Sequence, residues 1–319
     1  MNERHAITAD TDDSPLALWY PMRKRIYWAL IGIAVGVFIA GFWNYKLVDG
    51  FGNEIVAGHT IGKTSELAGA YGERGLGFGF LFASVAGLAA TFTACNCVVF
   101  AMIPGLACAD RRLSRSAALR AFGVFAFAVV AVCLLYGLYI GSLGAAGIEA
   151  FTDRSVRLGR AQITFTSLGV VMVAWGALAF GFMDGLKSRL PAGLRSFFAR
   201  PLTQAGIMGT MVGIFSVGRP FPVFRDFLVY AASSGNPLYA SLAMGVQGLG
   251  QIAFMVLLFL CLVYAFGSRL LRWAAQRPHQ PRLVSSVALF IGGAYFIYYW
   301  GLARALDIGS WGFKLGWYH

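Results

Sequence analysis

Two cysteines separated by a single residue are the side chains best suited to chemistry in this 319-residue chain. Cys95 and Cys97 lie in a long uncharged stretch, shortly before Pro104 and Gly105. On a regular helix, positions two residues apart point in directions about 200° apart, so these thiols meet each other or a partner only where the helix is broken. Exchange also needs a thiolate, and hence water or a positive neighbour. We interpret the pair as a candidate redox site, with small apolar core residues as the alternative.

The sequence indicates neither a metal site nor a cofactor. Two sulfurs are an incomplete ligand set, and no histidine is near them in sequence. The remaining cysteines are expected to be small apolar residues of the membrane core; they are Cys108, Cys133 and Cys261. The four histidines lie in tails or loops: His5, His59, His279 and His319.

A second candidate group carries charge inside an apolar segment. Arg219, Arg225 and Asp226 lie in or just after a Pro- and Gly-containing run, and a charge inside a span is costly unless it pairs or meets water. Arg219 could donate to carbonyls freed by the break or hold an anionic group, or both arginines could extend to the interface. Arg225 and Asp226 are consecutive, so we expect each to need a different partner. The residues predicted to break the helix here are Gly218, Pro220 and Pro222.

Two glutamines, Gln247 and Gln251, are spaced to share one helix face. They either line the same cavity as the charged group or form hydrogen bonds between helices.

The elements that must position these residues are membrane spans. Hydrophobic residues make up 58% of the chain and charged residues only 13%, and the mean hydropathy is +0.66. This composition excludes an ordinary soluble enzyme, a disordered chain and a disulfide scaffold. Uncharged stretches predict seven spans, the first of them an uncleaved anchor. They cover about 26–43, 75–109, 121–143, 161–183, 202–230 (broken at 218–222), 237–266 and 283–303.

Basic residues predict the orientation of the chain. If the N-terminus is cytoplasmic, that side carries about twice as many Lys and Arg as the other, and the C-terminus is periplasmic. The net charge of +12 then reflects topology and needs no nucleic-acid partner. The lipid bilayer is the first predicted partner.

The six spans after the anchor form two sets of three. Each set opens with a segment interrupted by proline and glycine, and the two sets begin on opposite sides of the membrane. Matched interruptions indicate an inverted-repeat architecture with its site near the bilayer middle. The predicted units are a tail and anchor (1–45), an extracytoplasmic loop (46–75), two repeats (76–184 and 202–306) and an extracytoplasmic tail (307–319).

These residues carry a resemblance. The segment from Gly218 to Pro222, followed by AASSG at 231–235 and a Gly-rich sixth span, resembles the second half of the DsbD/CcdA family, and Cys followed by Pro104-Gly105 resembles its first-half motif. The resemblance covers about 76–306. It implies six core spans in two inverted repeats, which carry reducing equivalents to extracytoplasmic acceptors and support cytochrome c biogenesis.

The resemblance also implies one redox cysteine on the first helix of each repeat. The sequence departs from that pattern because it has no cysteine between Cys133 and Cys261, so the partner thiol of the second repeat is absent. This departure and the additional N-terminal span are similar to the methylamine-utilisation (MauF) branch of the superfamily. That resemblance implies an inner-membrane maturation factor that assists disulfide or cofactor formation in a periplasmic client, methylamine dehydrogenase, together with other maturation proteins. The alternatives are a membrane carrier or exporter of a small solute without thiol chemistry, and a non-catalytic assembly scaffold.

Overall fold

The computed structural model describes residues 20–91, 115–183, 191–265 and 279–318, with the isolated positions 185, 189, 276 and 277. These residues form helices joined by short turns, and no strand occurs among them. Six of the described helices are long and apolar enough to cross a membrane, and two shorter ones that meet at 85° bring the number to seven if the pair is counted as one broken crossing. The chain is an all-α, multi-pass membrane protein, as predicted.

The third and fourth spanning helices begin six and seven residues before the predicted limits, and the third ends nine residues later than predicted. The other described ends lie within about four residues of the prediction, and the predicted end of the second span falls outside the described residues. In the first half of the chain the helices are α1 (Met22–Gly41), α2 (Tyr45–Gly50), a first π-helix (Phe51–Gly58), α3 (His59–Ile61), α4 (Thr64–Leu67), α5 (Tyr71–Thr91), α6 (Arg115–Thr152) and α7 (Arg154–Ala179). In the second half they are α8 (Ala192–Ala199), α9 (Pro201–Val217), α10 (Pro222–Ala232), α11 (Pro237–Ala265) and α12 (His279–Phe296). Helix α12 continues through a second π-helix (Ile297–Leu302) into α13 (Ala303–Ala305), and α14 (Trp311–Lys314) follows. Gly144, with φ of +63°, bends α6 one residue beyond the predicted end of the third span.

Contacts between helices establish their directions. On α5 and α11, Tyr239 donates to the carbonyl of Leu76 while Gly87 lies against Gln247, so these two helices are parallel. On α9 and α6, Gly209 meets Phe125 and Gly213 meets Val132, so these are parallel as well.

The helices that open the two predicted repeats run in opposite directions. Contacts of Phe122 with Phe259 and of Gly141 with Pro237 show that α6 is antiparallel to α11. Because α9 is parallel to α6 and α5 is parallel to α11, α5 and α9 run oppositely, as an inverted repeat requires. The first of the two predicted interruptions lies outside the described residues, so their pairing stays a prediction.

The side chains divide into a lipid-facing surface and an aromatic core. Phe127 and Ile163 are 75% and 71% exposed at mid-helix positions, which suits contact with lipid tails. Inside the bundle, the rings of Phe165, Phe215 and Phe296 stack with centroids 4.8 to 5.8 Å apart. This stack joins α7, α9 and α12 next to the break that follows α9.

The segment predicted as a loop at 46–75 is mostly helical. It forms α2, the first π-helix, α3, α4 and the beginning of α5, and its glycines concealed this in the sequence. Gly52 approaches α5 so closely that a β-carbon there would lie 2.7 Å from the Ala89 carbonyl oxygen and 2.9 Å from the Phe221 ring. The segment therefore reaches inward and covers the broken crossing.

The first helix and the C-terminal tail also belong to the bundle. A β-carbon on Gly36 of α1 would meet the carbonyl oxygen of Ile291 on α12 at 2.3 Å. In the tail, the Tyr318 hydroxyl donates to the Phe42 carbonyl at 3.1 Å, and Trp311 packs against Phe42. The predicted anchor and tail are thus parts of one packed structure.

Candidate functional site

The broken crossing lies where the sequence predicts it. Helix α9 ends at Val217, the Gly218 N–H still bonds to Ile214, and α10 begins at Pro222, with an 85° change of direction. Proline has no backbone N–H, but at the first position of a helix this N–H would have no partner within the helix, so nothing is lost there. Pro222 also restricts the preceding Phe221 to an extended backbone (φ −78°, ψ 133°). Backbone of this kind survives at membrane depth only inside protein or beside water.

Arg219 is buried at the break, with 6% of its surface exposed. Its Nη1 donates to the backbone carbonyl of Ala90, near the described end of α5. Arg219 was expected to donate to carbonyls freed by the break or to hold an anionic group, and the carbonyl that it contacts belongs instead to α5. Asp49, on α2 outside the spans, also interacts electrostatically with Arg219. Burial raises the pKa of the Asp49 carboxyl, and the positive charge of Arg219 opposes that rise.

The expectation that Arg225 and Asp226 need different partners is wrong. Nε and Nη2 of Arg225 both donate to Oδ1 of Asp226, the first at 2.8 Å. The arginine side chain is long enough to fold back along the first turn of α10. The expectation considered only the directions in which side chains leave the helix and not their length. The other carboxylate oxygen of Asp226 accepts from the Thr64 hydroxyl at 2.7 Å, so the covering segment is attached to α10 here.

Both glutamines are buried in a polar cluster beside the break. The Ser216 hydroxyl lies 2.5 Å from Gln251 Oε1 and 3.3 Å from Gln247 Oε1, and the Gln247 amide lies 3.4 Å from Gln251 Oε1. The Cys133 sulfur is 3.8 Å from the Ser216 hydroxyl. Of the two readings of the glutamines, the structure supports hydrogen bonding between helices.

The first interruption and its thiols lie outside the described residues. Cys95, Cys97, Pro104 and Gly105 fall in the segment between Thr91 and Arg115, so their predicted roles stay predictions. Of the cysteines that the structure describes, Cys133 is buried, Cys261 is exposed and both are free thiols. Within the described ranges, no group of three His, Cys, Asp or Glu side chains could hold a metal ion.

Two cavities flank the first turn of α10. The larger, about 460 Å³, lies between α10 and the covering segment and is lined by Glu54, His59 and Asp226 among others. The smaller, about 230 Å³, lies between α6, α7 and the break and is lined by Arg157, Arg160 and Arg219 among others. Arg225 lines both cavities. The break is thus bordered by open space on two sides.

Some residues at the site were not anticipated. Arg157 and Arg160 fall between the predicted spans 121–143 and 161–183, but they lie within α7 and line the smaller cavity. Their separation of three residues is a signal for one helix face that the sequence does contain. Cys133 was expected to be an ordinary core residue, and nothing in the sequence places its thiol beside the second break.

The fold and the site define an all-α, multi-pass membrane protein in which one crossing is broken around a buried arginine. Comparison with known protein families, with curated proteins and with solved structures finds no match.

Proposed function

We propose that this protein is a maturation factor of the bacterial inner membrane that assists disulfide or cofactor formation in a periplasmic redox enzyme, and that methylamine dehydrogenase is the client. In this proposal the N-terminus is cytoplasmic and the C-terminus periplasmic, as the distribution of basic residues favours. The resemblance to the DsbD/CcdA family and its methylamine-utilisation branch suggests the client.

One structural observation carries the proposal. Arg219 of the second break bonds to Ala90, and the chain then enters the segment of Cys95 and Cys97 within a few residues. The Thr91 hydroxyl also lies 3.0 Å from the Gln251 carbonyl. Two hydrogen bonds, from Arg219 and to Gln251, therefore hold the described end of α5, and the cysteines follow it in the sequence. A fixed positive charge near a thiol lowers the thiol pKa and increases the thiolate fraction. The proposal assigns this role to Arg219, which contacts the chain five residues before Cys95.

The proposed step is thiol–disulfide exchange between the pair and the client. A thiolate attacks one sulfur of a disulfide and forms a mixed disulfide, and the second thiol then attacks this bond and expels the departing thiolate. Two electrons and two protons pass between the Cys95–Cys97 pair and one cystine of the client. A separate thioredoxin-like protein restores the pair: its dithiol supplies two electrons when the pair has reduced a client cystine, and its disulfide accepts two when the pair has oxidised a client dithiol.

Serine variants test this proposal. With Cys95→Ser and Cys97→Ser, we expect the yield of active periplasmic client to fall at least about tenfold while the protein remains in the membrane fraction. Cys261→Ser removes an exposed thiol of α11 and serves as the matched control. Unchanged maturation in the double variant would remove the thiol mechanism and favour the carrier or scaffold alternatives.

A further inference from the structure

Four arginines line the smaller cavity, and one of them, Arg225, is already paired with Asp226. Arg157 and Arg160 lie on the first turns of α7, and Arg219 comes from the break on the other side. The cavity of about 230 Å³ is smaller than the sites of drug-sized ligands, which begin near 300 Å³. Its size and basic lining suit a small anionic group.

Much of the donor capacity of these side chains has no acceptor in the described structure. Arg160 donates to the Phe151 carbonyl and lies over the Phe151 ring, and Arg219 uses Nη1 for Ala90. On these three arginines, the buried nitrogens without a hydrogen-bond partner are Nε and Nη1 of Arg157, Nε of Arg160, and Nε and Nη2 of Arg219. Buried guanidinium donors are almost always bonded, so five of them around one cavity indicate a ligand.

The acidic side chains nearby offset only part of this positive charge: Asp49 interacts with Arg219, and Asp226 with Arg157. Asp226 is bonded to Arg225 and Thr64, and Asp153 is exposed and caps the first turn of α7 through the Ser155 N–H. Asp49 interacts with Arg219 alone among the three arginines. Positive groups held together away from water repel one another, and an anion between them removes that repulsion.

We infer that this cavity is an oxyanion-binding site in which Arg157 and Arg219 bind a phosphate, sulfate or carboxylate group. A planar guanidinium presents paired N–H donors that match the oxygens of such a group. The phosphate of a lipid headgroup offers the same chemistry as a free anion, so either is a source of the ligand. The inference does not depend on the thiol chemistry proposed above.

The first test uses the full chain, purified in detergent and stripped of lipid. Its thermal unfolding is followed by tryptophan fluorescence in phosphate, sulfate or succinate, with chloride at the same ionic strength as the reference. We expect at least one oxyanion to raise the unfolding temperature in a saturable way beyond chloride. Native mass spectrometry before lipid removal reports any retained phospholipid, which identifies the lipid as the source.

Matched arginine variants then locate the binding. Arg157→Gln and Arg219→Gln should each weaken the apparent affinity about tenfold or release the retained lipid. Arg154→Gln removes an equal charge from the exposed first residue of α7 and should change the affinity less than about twofold. Equal effects of Arg154→Gln and Arg157→Gln would overturn the inference. If the variants do not fold, the measurements on the unmodified chain remain a test. An unfolding temperature that no oxyanion raises beyond chloride, together with no retained phospholipid, would also overturn the inference.

Discussion

The Arg219 guanidinium donates a hydrogen bond to the backbone carbonyl of Ala90, which lies 129 residues earlier in the chain. This bond joins the break after α9 to the end of α5, and these are the helices that open the two predicted repeats. A single buried side chain therefore links the second interruption to the chain that leads into the cysteine segment. Arg219 also lines the arginine cavity, so its loss affects both proposals.

Replacing Arg219 separates positioning from charge. We expect Arg219→Ala to lower the yield of active client at least about tenfold, because a charged hydrogen bond of about 1.5–3 kcal/mol no longer fixes the break. Arg219→Lys keeps the positive charge but loses the planar set of guanidinium N–H donors, so the client yield should lie between those of the unmodified protein and Arg219→Ala. The yield is compared at equal amounts of protein in the membrane. Full client activity with Arg219→Ala would contradict this role.

Gly87 sets the distance between α5 and α11. A β-carbon there would lie 2.3 Å from the Gln247 carbonyl oxygen and 2.8 Å from the Gln251 nitrogen, both of them backbone atoms. Gly87→Ala should therefore destabilise the protein by about 1–3 kcal/mol, as overpacking of a core does. Gly77→Ala on the same helix meets no heavy atom within 4 Å and should not lower the unfolding temperature. Equal unfolding temperatures for the two variants would argue against this packing.

The buried Asp226 attaches the covering segment to α10. Asp226→Asn removes the charge opposite Arg225, whose side chain is 38% exposed, so we expect a loss of about 1–2 kcal/mol after allowance for solvent screening. Thr64→Val removes the hydroxyl donor and should cost about 1 kcal/mol. The exposed Lys63–Glu66 pair is the control: Glu66→Gln should change stability by less than about 0.5 kcal/mol. A loss as large for Glu66→Gln would mean that burial of Asp226 is not the cause.

The bond between Ser216 and Gln251 predicts energetic coupling between α9 and α11. A double-mutant cycle with Ser216→Ala and Gln251→Leu should give an interaction energy of about 0.5–1.7 kcal/mol, the range seen for bonds between membrane helices. Thr210 lies on the same helix α9, but its hydroxyl donates to Gly206 within that helix. The cycle of Thr210→Ala with Gln251→Leu should therefore give a value near zero. A Ser216 cycle that is equally small would show that the bond does not contribute to stability.

The crossings and the second break could be predicted because they depend on local properties. Uncharged length sets each span, and the prolines at 220 and 222 cannot continue a helix, so hydropathy and backbone chemistry were sufficient. The covering segment could not be predicted as helical because Gly52, Gly58 and Gly62 conceal any helical period. Its helices are instead held by contacts with α5 and α10, such as the bond from Thr64 to Asp226.

The composition of the site was less accessible from the sequence. Arg157 and Arg160 look like loop residues when basic residues are counted between apolar stretches, yet α7 begins at Arg154 and carries both inward. Pairing of Arg225 with Asp226 depends on a flexible side chain rather than on helix geometry. Contact of Cys133 with Ser216 depends on how α6 packs on α9, which no local pattern records.

A cysteine trap at the break tests the central claim most directly. A β-carbon at Gly218 would lie 3.6 Å from Cβ of Thr164, within the range that a disulfide requires. In a background without the native cysteines, Thr164→Cys with Gly218→Cys should form a bond on mild oxidation, detected by mass. Pairing Gly218→Cys with Val170→Cys, at a position 54% exposed and further along α7, should not. Absence of the first bond, or equal formation of both, would contradict a broken crossing packed against α7 inside the bundle.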